Sequence, residues 1–294
     1  MHQFEVIIFY KYTPVVDPHG FMKWTRVLCE RIGIKGRLLI AHEGINGTVE
    51  GSREQLDQFE SAMRETPFGD FQDLWFKASS GSGQAFKKLK IKVRPNILNI
   101  GLDAEQDINP NQLTGKHIEA DELNAWFSRG EEFAIIDMRN DYEYAVGRFE
   151  SSVDPGMRNF RDLKTVAPKL EHLKDKKVLT VCTYGVRCEK ASGYLLNQGF
   201  QNVYQLHGGI GTYMKKYPGQ HFEGSLYVFD ERMTEQFTND YKIVGVCTGC
   251  GEKSERFGNC AWSECHKQLI ICDACASAPV WCSDTCNSVA NSVR

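Results

Sequence analysis

An apolar strand that runs into a cysteine and then straight into a helix restricts the fold of this chain more than any other feature. It lies at Val178-Leu179-Thr180-Val181-Cys182-Thr183-Tyr184-Gly185-Val186-Arg187-Cys188-Glu189-Lys190. Val178, Leu179 and Val181 read as a buried parallel strand, and Ala191, Tyr194 and Leu195 carry the spacing of a helix over Glu189 to Asn197 that packs on the sheet. The six residues from Cys182 to Arg187 are expected to turn their backbone N–H groups around the sulfur. Such donors, the positive end of the following helix and the guanidinium of Arg187 favour a thiolate over a thiol and offer a seat to an anion above it. Cys182 and Arg187 are therefore the candidate catalytic pair.

Loop length selects the chemistry. A Cys-x5-Arg loop, as in cysteine phosphatases, is wide enough for a phosphate, whereas Cys182-x4-Arg187 is one residue shorter and suits the outer sulfur of a persulfide. On these residues the segment resembles the rhodanese family. Ile135-Ile136-Asp137-Met138-Arg139 with Glu143 and Gly147 is similar to that family's opening, and Leu206-His207-Gly208-Gly209-Ile210 to its closing, with Arg148 where histidine is usual. The alternative is a module without catalysis in which Cys182 is a buried structural cysteine.

At 294 residues the chain exceeds the size of a single growing core, so two or three domains are expected. No apolar run approaches a membrane span, and Met1-His2-Gln3-Phe4-Glu5 lacks the basic start of a signal peptide, so the expectation is a cytoplasmic protein without membrane partners. Thiols stay reduced there, and the eleven cysteines read as metal ligands or nucleophiles rather than disulfides. Eight fall close together: Cys247, Cys250, Cys260, Cys265, Cys272, Cys275, Cys282 and Cys286. Cys247-x2-Cys250 and Cys272-x2-Cys275 are zinc knuckles, while Cys260-x4-Cys265 and Cys282-x3-Cys286 are looser pairs. Eight thiolates suffice for two zinc ions, with interleaved or sequential pairing both open and His266 a possible substitute ligand. A tail so poor in large aliphatic residues needs such a staple to fold.

The amino-terminal part reads as a ferredoxin-like α+β domain, with strands at Phe4 to Tyr10, Gly36 to Ala41, Gly47 to Glu50, Phe71 to Lys77 and Lys88 to Arg94, and helices at His19 to Ile32 and Arg53 to Glu65. Glu43-Gly44-Ile45-Asn46-Gly47 is expected at a hairpin tip, where an Asn can also touch a ligand. The domain resembles acylphosphatase in topology but lacks that enzyme's glycine-rich loop with arginine. In Lys88-Leu89-Lys90-Ile91-Lys92-Val93-Arg94 the period of two sets Lys88, Lys90, Lys92 and Arg94 on one face. With a whole-chain charge of −3, that basic strip is local and points to nucleic acid; a solvated face is the alternative. Asn99 to Thr114 is polar and turn-rich, as a linker would be.

The expected organisation is thus a ferredoxin-like (acylphosphatase-like) domain over residues 1–100, a rhodanese-like α/β domain over 118–224 and a cysteine-rich zinc domain over 240–290. This order, with the segment from Gly36 to Thr48, the Cys182 loop, Val228-Phe229-Asp230-Glu231-Arg232-Met233 and the cysteine tail, resembles the bacterial oxygen-dependent tRNA uridine hydroxylases. The resemblance implies hydroxylation of the wobble uridine to 5-hydroxyuridine, with tRNA as partner, molecular oxygen as co-substrate and the loop cysteine essential. No iron, flavin, nicotinamide or haem motif is legible. A thiolate can add to carbon 6 of uracil and make carbon 5 electron-rich, which gives Cys182 a nucleophile's role. Cys188 reads as a helix packing residue, with resolution of an oxidised Cys182 as the alternative. Two other classes stay open: a sulfurtransferase that takes sulfur from a donor protein, and a binding module in which Cys182 is idle.

Overall fold

A computed structural model describes residues 3–103 and 106–292. Near the start of the chain, β1 (Phe4–Tyr12), α1 (Pro18–Ile32), β2 (Lys35–Ala41), β3 (Gly44–Gly51), α2 (Arg53–Arg64), β4 (Lys77–Gly81) and β5 (Lys90–Val93) build a five-stranded sheet in the order β4-β1-β3-β2-β5. The first four strands follow the ferredoxin-like order, and β5 adds to the β2 edge in parallel. Strand alternation sends Ile7, Phe9, Leu38, Ile40, Ile45, Val49 and Ile91 to the face covered by the two helices, where they meet Phe21, Leu28, Leu56 and Phe59. Both helices start on side-chain caps, Asp17 for α1 and a Ser52–Gln55 capping box for α2.

The strands differ from expectation in three places. Residues 71–76 form no strand, because Phe71 and Leu74 plug the helix-side core from a turn. The last strand shortens to Lys90–Val93, so Lys88 and Arg94 flank it rather than belong to it. The hairpin tip is His42 and Glu43; Asn46 and Gly47 lie inside β3, opposite Leu39 and Leu38.

A second, fully parallel sheet follows, made from β6 (Lys116–Ile118), α3 (Ala120–Arg129), β7 (Ala134–Asp137), α4 (Asp141–Val146), β8 (Gly147–Phe149), α5 (Leu163–Val166), β9 (Lys177–Val181), α6 (Val186–Asn197), β10 (Asn202–Leu206) and α7 (Gly209–Lys216). Its order is β6-β10-β9-β7, with β8 pairing outside it to β11 (Phe222–Gly224). Val178 and Leu179 of β9 are fully buried and belong to core clusters on opposite faces, as a central parallel strand requires. The α6 helix begins at Val186, three residues before the expected start, because Gly185 at φ 101° turns the chain directly into it. The stretch 99–114 is packed rather than a free linker: Ile100 and Ile108 are buried in the parallel-sheet core. Ala104 and Glu105 within it, like Met1 and His2, lie outside the described residues.

The chain then forms β12 (Leu226–Tyr227) and β13 (Thr234–Glu235), and the tail carries β14 (Phe257–Asn259), β15 (Gln268–Ile270) and α8 (Asp284–Ser292). The tail docks on α4, where Tyr142 and Val146 pack with Tyr227, Phe257 and Ile270. No helix among the described residues is long and apolar enough to cross a membrane.

Gly209 shows how closely the pieces fit. At φ 69° a Cβ there would lie 2.5 Å from the carbonyl oxygen of Cys182 and 2.7 Å from Tyr184 N. Gly209→Ala is expected to cost about 2 kcal/mol or more, the left-handed penalty plus the clash. Gly199→Ala, at φ 89° with nothing within 4 Å of its Cβ, should cost only about 1 kcal/mol. Urea-unfolding midpoints check the difference, and equal losses would sink the packing account.

Candidate active site

Cys182 follows the end of β9, and its sulfur takes the place of an N-cap for α6. Gly185 N donates to Cys182 Sγ at 3.2 Å, and the backbone N–H groups of Arg187 and Cys188 also point at it. Burial alone would push this thiol up. The Cys188 thiol, the Arg187 charge and the two backbone amides outweigh it and hold Cys182 down at about 6. Cys188, wholly buried against it, is pushed far up by burial and by its hydrogen bond to Cys182, and so stays a neutral donor.

Arg187 is more engaged than the sequence suggests. Its guanidinium forms a fork with the buried Glu143 of α4, Nη1 to Oε1 at 2.6 Å and Nη2 to Oε2 at 2.7 Å. Nη2 also donates to Thr183 Oγ1 at 3.0 Å, and that hydroxyl donates to Glu143 Oε2 at 3.2 Å. A second buried fork, Arg139 on Asp137 with Arg139 Nη2 also donating to Gly147 O at 2.6 Å, braces the turn before α4. Arg148 lies apart, paired with Glu223 at 2.7 Å.

The bare face of the ferredoxin-like sheet closes over this loop. Tyr10 Oη donates to Glu189 Oε1 at 3.1 Å, Tyr12 Oη donates to Val186 O at 3.3 Å, and the Tyr10 hydroxyl sits so near Gly185 that a Cβ there would come within 2.7 Å. Between the two layers lies a cavity of about 310 Å³, walled by Ile8, Arg37, Leu39, Asn46 and Thr48 on one side and Cys182, Tyr184 and Arg187 on the other, with Phe229 at its edge. Tyr184 fills the space above Gly211 and donates to Glu235 Oε2 at 3.0 Å. Lys77, in register with Ile8, is buried against the rings of Tyr10 and Trp75; burial brings its amine down to about 8, while Cys182 and Glu189 pull the other way.

Two members of the basic strip, Lys90 and Lys92, sit on the same sheet face as the cavity wall. Register pairs Lys90 with Arg37 and Lys92 with Leu39. Lys88, Lys90, Lys92 and Arg94 are all exposed, and none of them forms an ion pair among the described residues.

Family models match three successive parts of the chain: a UPF0176 acylphosphatase like domain over residues 4–97, a rhodanese-like domain over 119–216 and a rhodanase C-terminal region over 223–287. A tRNA uridine(34) hydroxylase of Cytophaga hutchinsonii is 39% identical over 288 residues, covering 97% of this chain and 90% of the relative. The protein of that name from Bacillus licheniformis is 42% identical over 273 residues, 92% of this chain and 83% of its own. That from Corynebacterium urealyticum is 39% identical over 280 residues, 93% and 94%. The chain belongs to the tRNA uridine(34) hydroxylase family.

This member of the tRNA uridine(34) hydroxylase family gathers its eight tail cysteines into two groups, and the pairing is interleaved. Cys247, Cys250, Cys272 and Cys275 form one; Cys260, Cys265, Cys282 and Cys286 form the other, each with its sulfurs within 4.8 Å of one another. His266 is exposed and joins neither. Sulfur separations of 3.5 Å for Cys250–Cys272, 3.6 Å for Cys265–Cys282 and 3.3 Å for Cys282–Cys286 approach the roughly 3.8 Å that tetrahedral zinc with bonds of about 2.3 Å imposes. The donor sets therefore fit zinc.

Sequence reading missed the residues that the ferredoxin-like sheet contributes to the cavity. Asn46 reads from sequence as a hairpin-tip residue able to touch a ligand; the structure sets it inside β3, where it and Thr48 share the cavity wall. Arg37 and Tyr10 carry no local motif, since their place depends on how two sheets meet.

The pH dependence of Cys182 follows from its surroundings. A thiolate favoured by folding stabilises the native state fully above the free-thiol pKa of about 8.5, and that contribution fades as pH falls through about 6. Labelling of Cys182 by a small alkylating reagent, read by peptide mass spectrometry from pH 5 to 9, should rise with a midpoint near 6. A midpoint near ~8.5 would refute the depressed pKa.

Proposed function

We propose that this chain hydroxylates carbon 5 of the wobble uridine of tRNA, with Cys182 as nucleophile and molecular oxygen as co-substrate. The observation that carries the reading is a thiol of depressed pKa on the wall of a cavity between the two sheets, in a chain whose relatives over nearly its whole length are named for that reaction. The cavity volume of about 310 Å³ falls within the range of small-ligand sites.

In this reading the Cys182 thiolate adds to carbon 6 of the uracil ring and the electron pair placed on carbon 5 takes one oxygen atom of O2, the other leaving as water with two electrons from an external reductant such as a thiol. Loss of the carbon 5 proton then restores the double bond and expels the thiolate. Arg187 acts chiefly as a positioning residue, because its fork on Glu143 holds the loop in shape while its charge favours the thiolate. Loop amides steady the developing anion. Lys88, Lys90, Lys92 and Arg94 hold tRNA backbone. The division into domains at 1–100, 118–224 and 240–290, and a cytoplasmic address, complete the proposal.

Nucleoside mass spectrometry of tRNA from cells lacking the protein tests it. Derivatives of 5-hydroxyuridine should disappear, return with the wild-type gene and stay absent with Cys182→Ser. Loss of thiouridines instead would replace the reading with a sulfurtransferase fed by a donor protein, and an unchanged profile with a binding module.

The two cysteine groups would each hold a zinc ion through four thiolates, a closed set that leaves no open coordination position and so serves structure. Metal analysis of protein purified without chelator should find close to two zinc ions per chain. Stripping them should unfold the tail while the parallel sheet persists. Less than one zinc per chain would overturn the two-site assignment.

A further inference from the structure

Phe229 is a large aromatic side chain left 44% exposed, and its backbone is not free to hide it. The turn that carries it is pinned by Val228 N donating to Met233 O at 2.9 Å, by Met233 N donating to Asp230 O at 3.0 Å and by Glu231 N donating to Ala85 O at 3.1 Å. Arg232 forks onto the buried Asp230 and reaches Ser79 Oγ at 2.9 Å and Ser80 O at 2.6 Å, fixing the turn to β4. One side of the Phe229 ring meets the Arg187 guanidinium, 5.6 Å from its centroid, and Tyr227 abuts it edge-on at 5.1 Å.

The backbone of Phe229 adjoins a strand edge that carries a row of cations. Arg37 Nη1 donates to Phe229 O at 3.4 Å, Lys90 is the register partner of Arg37, and Lys92 is next along the strand. An exposed ring on a pinned turn, at the edge of a cavity large enough for a nucleobase and near cations that form no ion pair among the described residues, matches single-stranded nucleic acid, whose bases stack on aromatics while its phosphates track cations.

We propose that Phe229, Arg37, Lys90 and Lys92 form a second nucleotide subsite at the mouth of the Cys182 cavity, where Phe229 stacks the unpaired base adjoining the reacting uridine and the cations hold the intervening phosphates. The inference rests on the tRNA reading for the identity of its ligand. It adds a specificity element on the turn between β12 and β13, outside the loop that carries the chemistry.

The test is binding of a fluorescent anticodon stem-loop RNA to the full chain, followed by anisotropy. Phe229→Leu keeps apolar bulk without a π-face and should weaken binding about 5- to 100-fold, the range set by loss of one stacked base. Phe229→Tyr and Phe229→Trp should bind as wild type. Arg37→Gln and Lys90→Gln should each flatten the dependence of log K on log salt by about 0.7. A blunt duplex of equal length should bind independently of the residue at 229. Wild-type affinity in Phe229→Leu, or an equal loss for the duplex, overturns the subsite. Nucleoside analysis run alongside separates the two ideas: stacking lost in a protein that makes no 5-hydroxyuridine removes the hydroxylation reading only, and normal binding by Phe229→Leu where the wild type is active removes the subsite only.

Discussion

The fork between Arg187 and Glu143 holds the reactive loop in its working shape. Both partners are buried, so removing either would strand a charge in a dry interior at a cost of about 3–5 kcal/mol. Thr183 closes the triangle, and the three side chains fasten the start of α6 to α4. With those ends fixed, the short turn between them has little choice but to point its amides at the sulfur. The helix then needs no side-chain cap, because the thiolate supplies the acceptor that its first amides lack.

A second layer of order comes from the sheet laid over the loop. Lys190 has no solvent exposure and bridges Glu43 at 2.8 Å on the hairpin tip with Asp107 at 2.7 Å in the packed connection. Three stretches far apart in sequence thus share one buried cation. Glu189, next to it, gathers Tyr10, His117 and Gln205, and these donors keep its carboxyl low despite burial. The first turn of α6 is in this way read from both sides, by its own domain through Arg187 and by the other sheet through Glu189 and Lys190.

Much of the architecture is legible where local pattern decides. The strands β1 to β3, the helices α1 and α2 and the strand-to-cysteine junction are set by short-range pattern, and the structure follows them. The cysteine spacing was decisive for two groups but silent on pairing, since knuckle geometry alone does not say which turns face each other. Failures cluster where tertiary context overrides pattern. Phe71 and Leu74 read as strand because they are apolar, yet a turn seats them in the core. Residues 99–114 read as linker because they are polar, yet Ile100 and Ile108 anchor them. Of the candidate site, Cys182 and Arg187 share one cavity wall, whereas Arg37, Asn46 and Thr48 belong to the opposite wall and could be placed only once the two sheets were seen together.

The complete burial of Cys182 has a bearing on how such a protein survives an oxidising moment. A sulfur held as thiolate near neutral pH is the form that peroxides convert to sulfenic and then irreversibly to sulfinic acid. Roofed by Tyr10, Tyr12 and the β3 face, it offers bulk solvent no surface to strike. The two sheets thereby serve as a sheath, and an oxidant can reach the sulfur only through the cavity that would admit a nucleotide.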